Sequence, residues 1–439
     1  MLHGPLLPIL TRLALPTVTV MFMVTLLSVA ETYFVSALGT DAIAAASAVV
    51  PVLLLMTMVS NGGIGGGVSA AIARARGAGR QEDVESLAWH ALLIAAAAGI
   101  AFTLTLWTAG PTLYRLLGTS GESLRQALVY SNILFGGAVA SWSFMLLQAA
   151  LRGVGNVKVP ALIVTCTVVM GLLISPAIIS GWFGLPRLGV AGAGVSQVLI
   201  NILGLVALVA YMRSGRSSLP LRRHPLRRDH FRAILSIGLP SSLGAVMSNV
   251  ALTAVTAAAG RFGVASLAGY GIASRLDGLL VPIMFGFGTA VVTVIGTNLG
   301  AGNVHRARRA ALLNATVVAA GLEVLGLVLA LWPGLWINHF TRSPDVLAAG
   351  KPYLHVLAPT YGLSAIGLEM YFAGQGAGRV GWPLLATAVR LLFSIAAVGW
   401  VWIGFASLTT AFLVVAAGVA MSAAIVLWGF NRTRWDTGR

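Results

Sequence analysis

The sequence predicts an all-α polytopic membrane protein with twelve transmembrane helices in two parallel six-helix repeats. The composition is the first reason: 439 residues are 58% hydrophobic and only 9% charged, more apolar surface than one soluble core can hide. The second is an internal repeat. Leu15-Pro16 and Leu239-Pro240 stand 224 apart, as do Gly39 and Gly263, and Gly77-Ala78-Gly79 returns 223 later as Gly300-Ala301-Gly302. Tyr130 and Tyr353, Gly153 with Gly155 and Gly376 with Gly378, and Pro160 and Pro383 keep the 223 spacing. One residue of drift over so many landmarks marks a duplicated segment. The third is the stretch Arg213 to Arg232, with seven arginines against Asp229 alone, because arginines beside helix ends stay cytoplasmic.

About 20 apolar residues are needed to cross the hydrocarbon. That ruler places spans at 13–37, 43–71, 88–108, 127–150, 159–180 and 190–212 in the first half. The second half gives 235–258, 266–296, 310–332, 352–374, 383–405 and 407–429. With six spans per half, both halves enter from the cytoplasm, so the repeat axis runs along the membrane normal. The expected domains are an N-terminal six-helix lobe (1–212), a basic cytoplasmic linker (213–232) and a C-terminal six-helix lobe (233–439). Both termini are expected in the cytoplasm and the chain in a plasma membrane, the bacterial inner membrane in particular. The first apolar run lacks the flanks of a cleavable signal and reads as a retained span.

A net charge of +16 would suggest nucleic acid in a soluble protein, but here the positive residues gather in the loops on one side. Arg74, Arg76, Arg80, Arg152, Lys158, the linker, Arg306, Arg308, Arg309, Arg379 and the tail residues Arg432, Arg434 and Arg439 all fall in predicted cytoplasmic loops. Cys166 is alone, so no intrachain disulfide can form. Seven histidines are scattered without metal-ligand spacing.

Glu31 is the most informative residue. It lies 19 residues beyond Arg12, about 28 Å up a helix, where a carboxylate must be paired, protonated or next to water. Its repeat counterpart is Val255, so the fold does not require an acid there; snorkelling to the outer interface is the bland alternative. Pro16 is either a kink point or an ordinary N-terminal helix proline. Asn61 to Gly67 is glycine-rich but lacks the Lys-Ser or Lys-Thr of a phosphate loop, and reads as close helix packing or local unwinding. Arg275, Asp277, Glu323, Glu369 and Arg390 also fall within spans, where two cations and three acids can pair internally. Asp277 and Glu369 are candidates to face a cavity. Tyr130, Asn132 and Gln148 on the fourth span, with Tyr353 and Tyr371 on the tenth, offer hydrogen bonds and aromatic faces to an organic cation.

Taken together, Leu15-Pro16, Glu31-Thr32, Gly39-Thr40, Gly77-Ala78-Gly79, Leu151 to Asn156, Gly189 to Ala193 and Gly300 to Asn303 resemble the multidrug and toxic compound extrusion (MATE) family. The resemblance implies two six-helix lobes in a V, with alternating access driven by inward proton or sodium flow. It matches Glu31 to the family's first-span aspartate of cation coupling, with Thr32 beside it. Ser175 and Gln197 occupy fifth- and sixth-span positions where the family carries other oxygen ligands, which leaves few oxygens for sodium and favours the proton. The expectation is a non-enzymatic secondary antiporter exporting small organic, cationic or amphiphilic compounds. Its coupling ion is H+, with Na+ as the alternative, and it needs no cofactor or resident metal. Its partners are a small-molecule substrate and membrane lipids, with no nucleic acid, and it is a monomer. A flippase for a lipid-linked or amphiphilic substrate is the alternative function. A membrane-embedded transferase would need clustered His, Asp or Arg, and a scaffold without transport would not need intramembrane acids.

Overall fold

The computed structural model describes residues 1–184, 186–433 and 435; Arg434 and Arg439 of the basic tail lie outside them. The first half supplies α1 (Leu6–Ser36), α2 (Thr40–Thr57), α3 (Gly65–Gly77), α4 (Gln81–Leu116), α5 (Gly121–Gly136), α6 (Ala138–Gly153), α7 (Lys158–Ser180) and α8 (Val190–Arg213). The second supplies α9 (Arg228–Gly260), α10 (Val264–Gly300), α11 (Val304–Leu331), α12 (Gly334–Ile337), α13 (Pro344–Leu357), α14 (Tyr361–Ala377), α15 (Gly381–Trp402) and α16 (Leu408–Arg432).

Among the described residues, ten helical stretches are long and apolar enough to cross a bilayer, and α5 with α6, bent by 48° at their junction, makes an eleventh. The twelfth expected span is divided between α13 and α14 by a single 3-10 turn, Ala358–Thr360. The two broken spans are repeat equivalents, and so are their breaks: Gly136-Gly137 and Pro359-Thr360 stand 223 apart. In one half glycine loosens the helix; in the other proline removes one of its hydrogen bonds. Each half therefore provides six spans.

The repeat landmarks are backbone devices. Gly39 (φ 111°) and Gly263 (φ 97°) start α2 and α10 with a backbone that a side chain would strain. Gly79 and Gly302 close α3 and α10 at φ 72° and 79°. The Arg80 N–H then donates to the Ala75 carbonyl and the Asn303 N–H to the Asn298 carbonyl, at 3.0 and 2.8 Å, satisfying helix-end acceptors as in a Schellman turn. Gly153 and Gly376 serve close packing instead. A Cβ on Gly153 would stand 2.8 Å from the Ser69 carbonyl oxygen and 3.0 Å from the Ile72 Cβ. On Gly376 it would stand 2.9 Å from the Val292 oxygen and 3.0 Å from the Ile295 Cβ. Val292 and Ile295 are themselves the counterparts of Ser69 and Ile72, so the duplication preserves a helix-to-helix contact atom for atom.

The glycine run Asn61 to Gly67 is both unwound and tightly packed. A π-helical turn, Met58–Ile64, separates α2 from α3, whereas α10 at the equivalent place is continuous. Arg152 is buried rather than loop-exposed, and donates to Asn61 Oδ1 within that turn at 2.6 Å. Pro16 lies well inside α1, which excludes the first-turn reading.

The chain forms two compact units. The first lobe is Thr19–Gly238; the second is Met1–Val18 with Leu239–Arg439. The chain thus passes from one unit to the other inside α1 and α9, within two residues of Pro16 and Pro240, while the linker 213–232 belongs to the first lobe. Three histidines distant in sequence explain how the linker's end is held. The His90 Nδ1–H donates to the Ser86 carbonyl at 2.7 Å, and its Nε2 accepts from the Arg227 N–H at 2.9 Å. His230 Nδ1 meets the Ser86 hydroxyl at 2.8 Å, Asp83 lies 3.3 Å from both Arg227 and His230 Nε2, and His224 lies 3.9 Å from Glu85.

Valine at Gly153 or at Gly376 should destabilise its lobe by roughly 1–3 kcal/mol, since a backbone oxygen cannot yield to the added carbons. Thermal unfolding of each detergent-purified variant checks this; an unchanged Tm in both would mean the helices part freely.

Candidate functional site

In the first lobe, three helices meet around Gly171 of α7. A Cβ there would stand 2.7 Å from Ile200 Cδ1 of α8 and 3.2 Å from Leu27 Cδ1 of α1. Glu31 and Ser175 lie one turn past Leu27 and Gly171, and Ser196 one turn before Ile200. Residues four apart share a helix face, so these three residues lie on the facing sides of their helices, about 6 Å along from the Gly171 contact. Ser175 and Ser196 are fully buried and their hydroxyls are 3.1 Å apart. Glu31 is half-buried, and its Oε1 is sealed from solvent with no hydrogen-bond partner. Tyr130 of α5 is buried within electrostatic reach of Glu31.

The other first-lobe candidates stand apart from this cluster. Thr32 is exposed and its hydroxyl bonds the Ser28 carbonyl at 2.9 Å. Gln197 and Gln148 are half-buried. Asn132 is exposed; two residues from Tyr130 on a helix, it faces nearly the opposite way. Ser196 is the residue that the sequence reading missed. Its signal was the i, i+4 stripe it shares with Gly192 and Ile200, beside Gln197 but on the inward face.

In the second lobe Asp277 of α10 accepts from two phenols, Tyr353 on one oxygen and Tyr361 on the other, the latter at 2.7 Å. Tyr353 packs edge-on against Tyr270 and Phe412, with ring centroids 5.4 and 5.3 Å away. The repeat-equivalent tyrosines, Tyr130 and Tyr353, therefore each stand beside their lobe's acid, supplied by α1 in one lobe and by α10 in the other. At Glu31's own repeat position the second lobe buries Val255 in its apolar core.

Glu369 is only 1% exposed and is enclosed in the second lobe. Its Oε2 accepts from Asn314 at 2.5 Å, and its Oε1 is buried without a partner. Glu323 accepts from the Gly362 N–H at 2.8 Å, and the Tyr371 hydroxyl donates to the Ser241 carbonyl at 2.5 Å. The expected internal pairing of two arginines with three acids does not occur. Each acid is met by neutral donors, and both Arg275 and Arg390 are exposed with no carboxylate within 4 Å among the described residues. No group of three or more His, Cys, Asp or Glu poised for a metal ion occurs among the described residues.

Duplicated six-span lobes, a broken span at the same place in each and isolated acids within the spans define a multi-pass membrane protein built by internal duplication. The MatE family profile matches residues 16–177 and 240–401, once in each half, and the chain belongs to the MATE family. A FAD transporter of Shewanella oneidensis is 26% identical over 385 residues, covering 85% of this chain and 82% of the relative. A NorM-type multidrug resistance protein of Thermotoga maritima is 25% identical over 336 residues, 74% of this chain and 70% of the relative. A MOP superfamily transporter from Pyrococcus furiosus, described as having a binding pocket of reverse polarity, matches with a TM-score of 0.88 at 25% identity, over 98% of this chain and 96% of that one.

Replacing Asn314 with Leu should destabilise the second lobe by about 1–3 kcal/mol by leaving Glu369 Oε2 buried and unpaired. Glu369→Gln, which keeps an acceptor for Asn314, should stay near wild-type stability and leave substrate affinity unchanged. Thermal unfolding with equilibrium binding separates the two; weakened binding in Glu369→Gln would return that residue to the substrate path.

Proposed function

We propose that the chain is a proton-driven antiporter that exports small organic compounds, cationic or amphiphilic, by alternating access, with Glu31 as its coupling carboxylate. One observation carries this reading: the Glu31 Oε1 is enclosed in a membrane span without a hydrogen-bond partner. Such a group is stable when it holds a proton and unstable as a bare anion unless water or a cation reaches it. Two conformations that differ in water access therefore differ in their affinity for a proton, and that difference is what couples ion flow to transport. Tyr130 stands within electrostatic reach of the carboxyl, and the Ser196 hydroxyl donates to the Ala193 carbonyl while meeting Ser175 at 3.1 Å, which leaves the serine oxygens as acceptors for a protonated acid. A sodium ion would need more oxygens than one carboxyl and two serines place together, which supports the proton.

Substrate is proposed to meet Tyr130, Gln148, Asp277 and Tyr353, with Asn132 and Glu369 less suited by their placement. Pro16 is proposed as a bending point, because α1 changes compact unit two residues beyond it. The protein is taken to work as a monomer in the bacterial inner membrane with both termini cytoplasmic. The similar proteins are described as a FAD transporter and a multidrug resistance protein, which favours soluble organic cargo over a lipid-linked one and extends its range to organic anions.

The test is proton movement into dye-loaded proteoliposomes challenged with a panel of amphiphilic cations, without sodium. Wild type should show substrate-dependent proton flux, Glu31→Gln should abolish it while remaining monodisperse, and Glu31→Asp should retain part of it. Full-rate flux in Glu31→Gln would overturn the assignment.

A further inference from the structure

Arg390 sits at the middle of α15, nine residues from Gly381 and twelve from Trp402, or about 13 and 18 Å from the helix ends. A guanidinium at that depth is too far from either end to snorkel out. It also occupies the wrong face for a lipid-exposed residue. Pro383, Ala386, Ser394, Ala397 and Val401 are buried and share its helical stripe, at steps of three and four residues. Arg390 alone on that inward stripe is exposed, so its side chain occupies an opening within the second lobe.

The nearest acid does not close that opening. Asp277 and Tyr353 are within electrostatic reach of Arg390, yet both Asp277 oxygens accept from tyrosine hydroxyls, and no carboxylate comes within 4 Å of the guanidinium among the described residues. Arginine carries five N–H donors in a rigid fork and keeps its charge. A charged fork facing an opening at mid-membrane depth, with its neighbouring acid held by phenols, is the arrangement that binds a carboxylate or phosphate through paired hydrogen bonds.

We infer that Arg390, beside Asp277 and Tyr353 in the second lobe, anchors an anionic group, a carboxylate or phosphate, on the transported compound. The inference rests on the transporter reading but not on proton coupling through Glu31. A substrate bearing both a cationic or aromatic body and an anionic group then has a separate anchor for the anion. Arg275 does not share this role, because it lies on the outer, exposed face of α10, away from the stripe that carries Asp277.

The experiment uses a matched pair of probes, flavin mononucleotide and riboflavin, which differ by one phosphate. Wild-type protein in neutral phosphatidylcholine nanodiscs is treated with the arginine reagent phenylglyoxal, and labelling of the Arg390 and Arg275 peptides is followed by mass spectrometry. Arg390 should label, flavin mononucleotide should slow its labelling at least about five-fold, riboflavin should not, and Arg275 should label alike in all samples. Flavin fluorescence titrations should then show a phosphate-dependent gain in affinity of about ten-fold that Arg390→Gln removes, Arg390→Lys partly restores and Arg275→Gln leaves intact. Equal protection by both flavins, no protection by either, or an unlabelled Arg390 would overturn the inference. So would protection by phosphatidylglycerol alone, which would assign the site to a lipid headgroup. A silent proton-flux assay with the phosphate preference intact would instead count against the coupling role of Glu31.

Discussion

A bilayer core offers no water to a polar group, so every charge or amide placed there must find its partner inside the protein. The structure meets this demand almost throughout with neutral partners. Asp277 is held by two tyrosines, Glu369 by Asn314, and Glu323 by a backbone N–H, while Arg152 bonds Asn61. Neutral donors spare the desolvation of a second charge, which a buried ion pair cannot. Against that background the exceptions are few. Glu31 and Glu369 each keep one buried oxygen unpartnered, and Arg390 is exposed with no carboxylate within 4 Å among the described residues.

The duplication separates scaffold from chemistry. Positive-φ glycines, the Gly153 and Gly376 contacts and the breaks in the fourth and tenth spans recur at equivalent places. They solve steric problems that both halves share: a tight turn, a close helix approach, a bend. The acids and arginines inside the spans do not recur. Glu31 has Val255 at its repeat position, yet Tyr130 and Tyr353 each sit beside an acid drawn from a different helix. A tyrosine can serve an acid from either direction because its hydroxyl reaches past its ring; a backbone contact tolerates no such shift.

The π turn at Met58–Ile64 and the linker show how local departures support these sites. The extra residue in the turn aims Asn61 at Arg152, which keeps an otherwise costly cation satisfied at the end of α6. The linker's last residues are fastened to α4 through His90, His230 and Asp83. The tautomer of His90 follows from its partners, since one ring nitrogen faces a carbonyl and the other an N–H.

Much of this was legible in the sequence, because hydrophobic length and repeat spacing are local properties. Composition established a membrane protein, the 223 and 224 spacings established two equivalent halves, and Glu31 stood out because an acid in an apolar run has no cheap structural excuse. What the chain alone could not decide was pairing. Asp277, Glu369, Arg275 and Arg390 look alike as charges within spans, and only packing showed that the acids are met by neutral donors while Arg390 opens inward. Histidines 90 and 230, 140 residues apart, and Ser196, hidden behind a more conspicuous glutamine, depended on the same thing. Which face of a helix meets which neighbour is set by the whole bundle, and that assignment exists only in three dimensions.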